Sequence, residues 1–504
     1  MIDCLNRNEV EVSAQGGLGG VDRLSPFCRS LFFIAVTALV LNIPAPVNSA
    51  DPGVRGGRVA KRGTRLSLPR AISTAVARNL RIADSRLAIR EREHQRREAF
   101  SDFFPSINVQ YQGGADKYQQ FVQNPFLTLM GTNVQALSGI HPSRWTVRGE
   151  PPLAGLQPAY PYRIDPYRAF SISAIFTQPL FTGGKLVSEY EFAKLGVDYY
   201  TIQSEVDRQD LILEVSEAYY QLLQAIKLLG VADDSIRALR ALRHQAMMFF
   251  QEGVNTKADV LSTEGQLAQA YIQQTQSLAD IERAKATLNF LLRYPQETPL
   301  EIVEDLSYTS NPYRIPDIYA TAAANRLEIR QANISVDQAM AMVKSAKADL
   351  MPSVSVQITG SRFNDDWNVF DPEGNNDWNI QGLLTWSFDM FRTRETVKER
   401  RASEARAFVF REQLVEQVME EVKLAYVDMK RSESDIQNNR KAVAFRTESF
   451  RVSQLSYQEQ VATYIEVLDA QRQLARAQGD YIMSLVGYFI NRAILERRMG
   501  ILRE

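Results

Sequence analysis

The sequence predicts a mainly α-helical, internally duplicated chain in which long helical hairpins follow pairs of two-faced β-strands. Three observations predict it. Two distant segments repeat each other in register, proline is missing from the long stretches behind each strand pair, and apolar and polar residues alternate one by one in four places.

The duplication comes first, because a repeat governs how everything else is read. Tyr457 to Ala477, YQEQVATYIEVLDAQRQLARA, restates Phe250 to Ala270, FQEGVNTKADVLSTEGQLAQA. A shift of 207 positions pairs Gln251 with Gln458, Glu252 with Glu459, Val260 with Val467 and Leu267 with Leu474. The same shift pairs Glu214-Val215 with Glu421-Val422 and Ala218-Tyr219 with Ala425-Tyr426. Towards the front of each copy a shift of 247 lays FFPSINV (Phe103 to Val109) on LMPSVSV (Leu350 to Val356), with Leu80 on Leu327 and Ile82 on Ile329. The expected organisation is a leader over 1–50, a flexible lead-in over 51–67, a first repeat over 68–293, a linker over 294–316 and a second repeat over 317–500.

In the leader, Arg29 precedes an apolar run from Leu31 to Leu41, followed by Pro44 and small residues up to Ser49 and Ala50. That is the pattern of a secretory signal peptide behind an extended N-terminal region. The run, about 11 to 13 residues, is short of the ~20 that a bilayer core needs. Cys4 and Cys28 both precede it, so cleavage removes every thiol and with them any disulfide or thiolate metal site. The exported part carries 55 basic and 55 acidic residues. Nothing in that balance points to nucleic acid.

Residues 51–65 are Gly-rich and basic, a lead-in to helical text from about Leu68 to Ser101. At Pro105 the period changes. Ile107, Val109 and Tyr111 alternate with Ser106, Asn108 and Gln110; Phe170, Ile172, Ala174 and Phe176 form a second strand. Val354, Val356 and Ile358, then Trp378, Ile380, Leu384, Trp386 and Phe388, give the matching pair in the second copy. A half-buried soluble sheet has the same alternation. The signal peptide, the aromatics near the strand ends (Phe103, Phe104, Phe181, Phe388, Phe391) and the want of an apolar helical span favour strands of an outer-membrane barrel. Residues 113–167, rich in proline and aromatics, read as a long exposed loop, and Phe363 to Asp377 as a short acidic one.

Behind each strand pair the chain becomes long helix. No proline occurs from Leu180 to Tyr294 or after Pro372. An interior proline costs a helix ~3 kcal/mol, so its absence is what such helices require. Leu211, Val215, Ala218, Leu222, Ala225 and Leu229 recur at spacings of four and three, as do Val418, Val422, Ala425 and Met429. Gly253-Val254-Asn255-Thr256 breaks the first helix, and a return helix runs from about Lys257 to Leu292. The second turn falls at Gln460 to Thr463.

A duplicated unit of helix, strand, loop, strand, very long helix, turn and return helix resembles the TolC-type outer-membrane efflux channels. The residues that carry the resemblance are Pro105-Ser106, Pro352-Ser353, TQPLFTGGK (Thr177 to Lys185), and the turns continued by ADVLSTEGQL and IEVLDAQRQL. It implies a homotrimer whose chains each give four transmembrane strands to one twelve-stranded β-barrel and long helices to a periplasmic α-barrel. It also implies a place in the cell outer membrane, in contact with its lipid and reaching into the periplasm. The partners it implies are a periplasmic adaptor and an inner-membrane transporter, and the exported cargo is small molecules or proteins.

No nucleophile motif or phosphate loop occurs, and His94, His141 and His244 lie far apart. A non-enzymatic conduit without cofactor or metal is therefore expected; the alternative is a periplasmic coiled-coil scaffold or adaptor with no barrel. The resemblance places two pore-facing carboxylates just after the second turn, at Glu466 and Asp469. Three residues apart, they share a helix face. Asp259, opposite Glu466 in the duplication, is the third candidate for the gate, although Ser262 stands opposite Asp469. As ordinary acids, Glu466 and Asp469 equally suit the positive end of a helix. The adaptor-docking tips implied are Gly253, Val254, Asn255, Thr256 and Lys257, with Gln460, Val461, Ala462 and Thr463. Similar channels tend to carry Gly in both turns, where the second here has Gln460, and a basic residue that locks some tips falls on Ala462.

Overall fold

In the computed structural model the described residues are 64–116, 167–253, 256–303, 307–310, 313–364, 367, 369–370, 375–387, 389–459 and 461–503. The expected leader, most of the long first loop, Val254, Asn255, Phe388 and Gln460 lie outside them. The elements run β1 (Thr64–Leu66), α1 (Leu68–Arg78), α2 (Leu80–Ser101), β2 (Ser106–Asp116), β3 (Tyr167–Phe181), α3 (Lys185–Gln251), α4 (Lys257–Leu292) and β4 (Leu300–Ile302). They continue α5 (Ile315–Asn325), α6 (Leu327–Ala348), β5 (Ser353–Asn364), β6 (Asn375–Thr385), α7 (Met390–Gln458) and α8 (Tyr464–Arg498). The chain divides into two units, one holding most of the four long strands and the other the helices.

The duplication is visible element by element. α1 and α5 have 11 residues each, α2 and α6 have 22 each, α3 and α7 have 67 and 69, and α4 and α8 have 36 and 35. At ~1.5 Å per residue α3 and α7 are each about 100 Å long. Within the helical unit α3 packs against α4 and α7 against α8 as two hairpins. α2, α3, α6 and α7 form a layer in that order, and α8 also packs on α3.

The seams read from the sequence are its core. Leu211, Val215, Ala218 and Leu222 of α3 meet Leu288 and Leu292 of α4 and Ala71, Ile72 and Ala75 of α1. Val418, Val422, Ala425 and Met429 of α7 meet Leu485, Tyr488 and Leu495 of α8 and Ile318 and Ala322 of α5. Where α6 begins, the buried guanidinium of Arg326 caps the end of α8 through the Arg497 carbonyl at 3.1 Å and pairs with Glu421 at 2.9 Å. Arg497, equally buried, pairs with Asp210 at 2.7 Å and Glu328 at 2.8 Å. Each buried cation thus has the carboxylates that an unpaired charge in such a place would lack.

The four long strands form one sheet in the order β2-β3-β5-β6. β2 and β3 are antiparallel, with Ile107 opposite Phe176, Val109 opposite Ala174 and Tyr111 opposite Ile172, so the apolar sets of both strands share a face. On the polar side Gln381 donates to Gln357 at 2.6 Å. The apolar side chains lie open: Val109 is 61% exposed, Trp378 67% and Ile380 60%.

The strands expected from the alternation are present, but two more were missed. β1 and β4, three residues each, pair in parallel with Leu66 beside Ile302, in the supposed lead-in and linker. Tyr219 explains why such short strands hold: fully buried on α3, it donates its hydroxyl to the Leu66 carbonyl at 3.2 Å. β6 also stops at Thr385, short of Trp386, whose indole donates to the Leu350 carbonyl at 3.3 Å. The TQPLFTGGK segment has its own logic. Gly183 and Gly184 take φ of 63° and 89°, and a Cβ on Gly183 would lie 2.7 Å from the Ala348 carbonyl oxygen. Only glycine fits both demands.

Candidate functional site

The two hairpin turns lie at the ends of one packed cluster. Tyr457, Tyr464, Val467 and Leu468 of the second hairpin pack with Leu242, Ala246, Val260 and Leu267 of the first. The Tyr457 ring bridges the two hairpins, 5.1 Å from Tyr464 and 5.6 Å from Phe249. A buried hydrogen bond joins them as well, from the Thr263 hydroxyl to the Tyr464 oxygen at 3.0 Å. Burial pushes the Tyr464 phenol up to about 12.

The first turn closes by a reciprocal cap. Gly253 takes φ of 78°, where a side chain is strained. The Asp259 carboxylate accepts from the Thr256 backbone N–H at 3.0 Å and hydroxyl at 2.8 Å, while the Asp259 N–H donates to the Thr256 hydroxyl at 3.3 Å. Both capping partners stand three residues apart at the helix start, so two otherwise orphaned donors are satisfied. Lys257 is exposed beside them.

The second turn carries half of the same device. Thr463 donates its hydroxyl to Glu466 at 2.9 Å without receiving a bond in return. The Val461 and Ala462 N–H groups both donate to the Ser456 carbonyl, at 2.8 and 3.2 Å, which closes this turn without a glycine among its described residues. Val461 is 83% exposed and Ile465 65%, so apolar surface remains open at the tip.

Of the three gate candidates, Glu466 is exposed at the third position of α8 and Asp469 follows one turn later. Asp469 accepts from Gln473 at 2.5 Å and pairs with Arg472, which reading the acids alone overlooked. Asp259 is committed to its cap. The geometry therefore brings Glu466 and Asp469 onto one stretch of helix and gives Asp259 a structural task of its own. Thr263 and Tyr464 were also missed, since neither residue type stands out where acids are sought.

Residues 71–292 and 318–500 match the family profile described as outer membrane efflux protein. The chain is 23% identical over 314 residues to Outer membrane protein TolC of Escherichia coli (strain K12), covering 60% of this chain and 63% of that one. It is 28% identical over 251 residues to Nodulation protein T of Rhizobium leguminosarum bv. viciae, covering 45% and 48%. In both the match spans less than two thirds of the relative's length. Among solved structures, CusC superposes with a TM-score of 0.71 at 17% identity over 87% of this chain and 93% of that one. The outer membrane protein VceC of Vibrio cholerae gives 0.69 at 15%, over 86% and 96%. These likenesses show a shared fold.

Proposed function

The chain belongs to the outer membrane efflux protein family, and from that premise we propose that three copies form an outer-membrane channel, a passive conduit and not a catalyst. The observation that carries the reading is the open sheet. In the order β2-β3-β5-β6, the first and last strands each keep one edge without a partner among the described residues, while the apolar face of the sheet lies exposed. Backbone groups left open inside lipid cost several kcal/mol each, so strands of this kind are used as closed barrels. Four strands from each of three chains would make the twelve that the family resemblance implies. The apolar face would then meet outer-membrane lipid and the polar face would line the passage.

The helical layer has the same logic. α2 and α7 are its ends, and the exposed Phe445, Val452 and Leu455 on α7 have no cover among the described residues. Further copies would supply it. A scaffold without a barrel would have no use for a two-faced sheet, and the sheet is present.

Within this channel Glu466 and Asp469 serve as the acidic periplasmic gate, supported by their place beside the second turn. The exposed Val461 and Ile465 support the tips as the docking surface for a periplasmic adaptor, which would couple the channel to an inner-membrane transporter. Cargo would be small molecules or proteins handed over by that transporter.

The experiment is to purify the exported protein in detergent, measure its mass, and record conductance in a planar bilayer. A trimer with discrete conductance steps is expected; a soluble monomer needing no detergent overturns the proposal. Replacing Gly253 with Leu, or Lys257 with Glu, should weaken adaptor crosslinking while the trimer persists. Unchanged crosslinking in both variants removes the docking assignment.

A further inference from the structure

In the helical unit, α2, α3 and α6 line an open groove of about 420 Å³ around Gly196. Three rings of α3, Phe192, Tyr199 and Tyr200, supply aromatic surface, and α2 supplies the one charge among the lining residues, the Arg92 guanidinium. That guanidinium lies over the Tyr200 ring, 4.4 Å from its centroid, and donates to the Tyr200 hydroxyl at 2.8 Å and to Gln95 at 2.7 Å. Ring and hydrogen bonds together hold the cation in one place at the groove wall.

Arg92 is half-buried and, among the described residues, has no carboxylate partner. Its Nε is shielded from water and makes no hydrogen bond there. Arg326 and Arg497 in the same unit show the contrast, each matched by carboxylates. A guanidinium drawn away from water is best satisfied by an anion that its planar fork can grip. The Tyr199 hydroxyl and the Gln338 carboxamide, also half-buried at the groove, make no hydrogen bond among the described residues either.

Gly196 stands in the interior of a 67-residue helix, where glycine weakens the helix relative to alanine. A Cβ there would meet only Gln338 Nε2, at 3.7 Å, an ordinary contact. Crowding therefore does not demand the glycine; what the missing side chain leaves is open groove. The duplication shows that the fold does not demand the lining either. Shifts of 247 and 207 put Ala339 where Arg92 stands, Glu399 for Phe192, Ser403 for Gly196, Arg406 for Tyr199 and Ala407 for Tyr200. At those positions the second copy has neither the rings nor the glycine.

We propose that this groove binds small aromatic monoanions, with a carboxylate or sulfonate on Arg92 and a planar ring system against Phe192, Tyr199 and Tyr200. A cavity of a few hundred Å³ with aromatic walls and a few convergent polar groups is the usual form of a small-molecule site. The three helices belong to one chain, so the site stands apart from the barrel and from the hairpin turns.

The test is a calorimetric titration of the full exported chain in detergent with 2-naphthoate, blanked against the same micelles without protein. One site per chain is expected, and uncharged 2-naphthamide should bind about tenfold more weakly or worse, for want of charge-assisted bonds to Arg92. Arg92→Leu should weaken naphthoate by a similar factor and leave naphthamide as it was. Gly196→Leu should abolish the binding of both by filling the groove, and because it favours the helix and keeps Arg92 it carries the test if Arg92→Leu fails to fold. Ser403→Leu, the matching change in the second copy, should leave both affinities unchanged. Equal affinity for naphthoate and naphthamide, naphthoate binding that survives Gly196→Leu, or no saturable binding above the blank overturns the proposal. Arg92-dependent binding in a protein that never conducts would uphold the site and defeat the channel reading alone.

Discussion

The Thr263 hydroxyl at the start of α4 donates to the phenol oxygen of Tyr464 at the start of α8, 3.0 Å away and shielded from water. It is a polar tie buried among apolar side chains where the two hairpin ends meet. Thr263→Val keeps the shape and removes the donor, leaving a buried hydroxyl unsatisfied at a cost of about 1 to 3 kcal/mol. Chemical denaturation should show that loss, and Tyr464→Phe combined with Thr263→Val should restore part of it. Equal stability of Thr263→Val and the parent would mean that the bond contributes nothing.

The same tyrosine sets an alkaline limit. Its proton is held up to about 12 in the fold against 10.0 ordinarily. The folded state then binds the proton more tightly than the unfolded one, so stability is full below pH 10 and falls as pH rises from 10 towards 12. Tyr464→Phe should flatten this limb of the pH–stability curve. An unchanged limb would assign it to other groups.

Glu433 acts at the opposite end of the scale. Its carboxyl titrates at about 2 in the fold against 4.5 ordinarily. Here the unfolded state holds the proton more tightly, so the stabilisation is present above pH 4.5 and is lost as pH falls from 4.5 towards 2. Glu433→Gln should lower stability at neutral pH and shrink its acid dependence. If both curves run parallel down to pH 2, the bonds that Tyr308, Ser310 and Lys430 make to this carboxylate contribute nothing to stability.

Much of the fold was legible because its signals are periodic. The seam from Leu211 to Ala225 and the alternation from Ile107 to Tyr111 report burial and facing directly, and the return helix falls on Lys257–Leu292 as read. β1 and β4 were not legible, since three residues carry no period and their pairing depends on Tyr219, more than 150 residues from Leu66. The site was less readable for a related reason. The resemblance pointed to Glu466 and Asp469 as acids, but Arg472 neutralising Asp469, Asp259 turned into a cap, and Thr263 reaching Tyr464 are side-chain geometries that no spacing announces.

Asp259 offers a clean separation of roles. As a capping partner of Thr256 it should matter to helix α4 and not to permeation. Asp259→Ala should cost about 1 kcal/mol of stability, in line with other lost caps. Cation selectivity in bilayer recordings should stay as in the parent. A clear drop in selectivity would move Asp259 back among the gate residues.

The gate itself is best tested through Arg472, because the structure makes Asp469 a half-neutralised acid and Glu466 an open one. In three assembled copies the tip would carry six carboxylates from these two positions and three guanidiniums. Even in a medium as polar as water a unit-charge pair at ~4 Å is worth about 1 kcal/mol, so each charge removed should be felt in a narrow pore. Glu466→Ala and Asp469→Ala should each lower cation selectivity, since each removes one negative charge per copy and the second also leaves Arg472 without its partner. Arg472→Ala should act in the opposite sense, raising cation selectivity and strengthening block by multivalent cations applied from the periplasmic side. Glu466→Ala with Asp469→Ala should relieve that block. If Arg472→Ala and the double acid variant both conduct with the parent's selectivity and block, these residues are only a helix cap and its neighbours, and the constriction is built elsewhere.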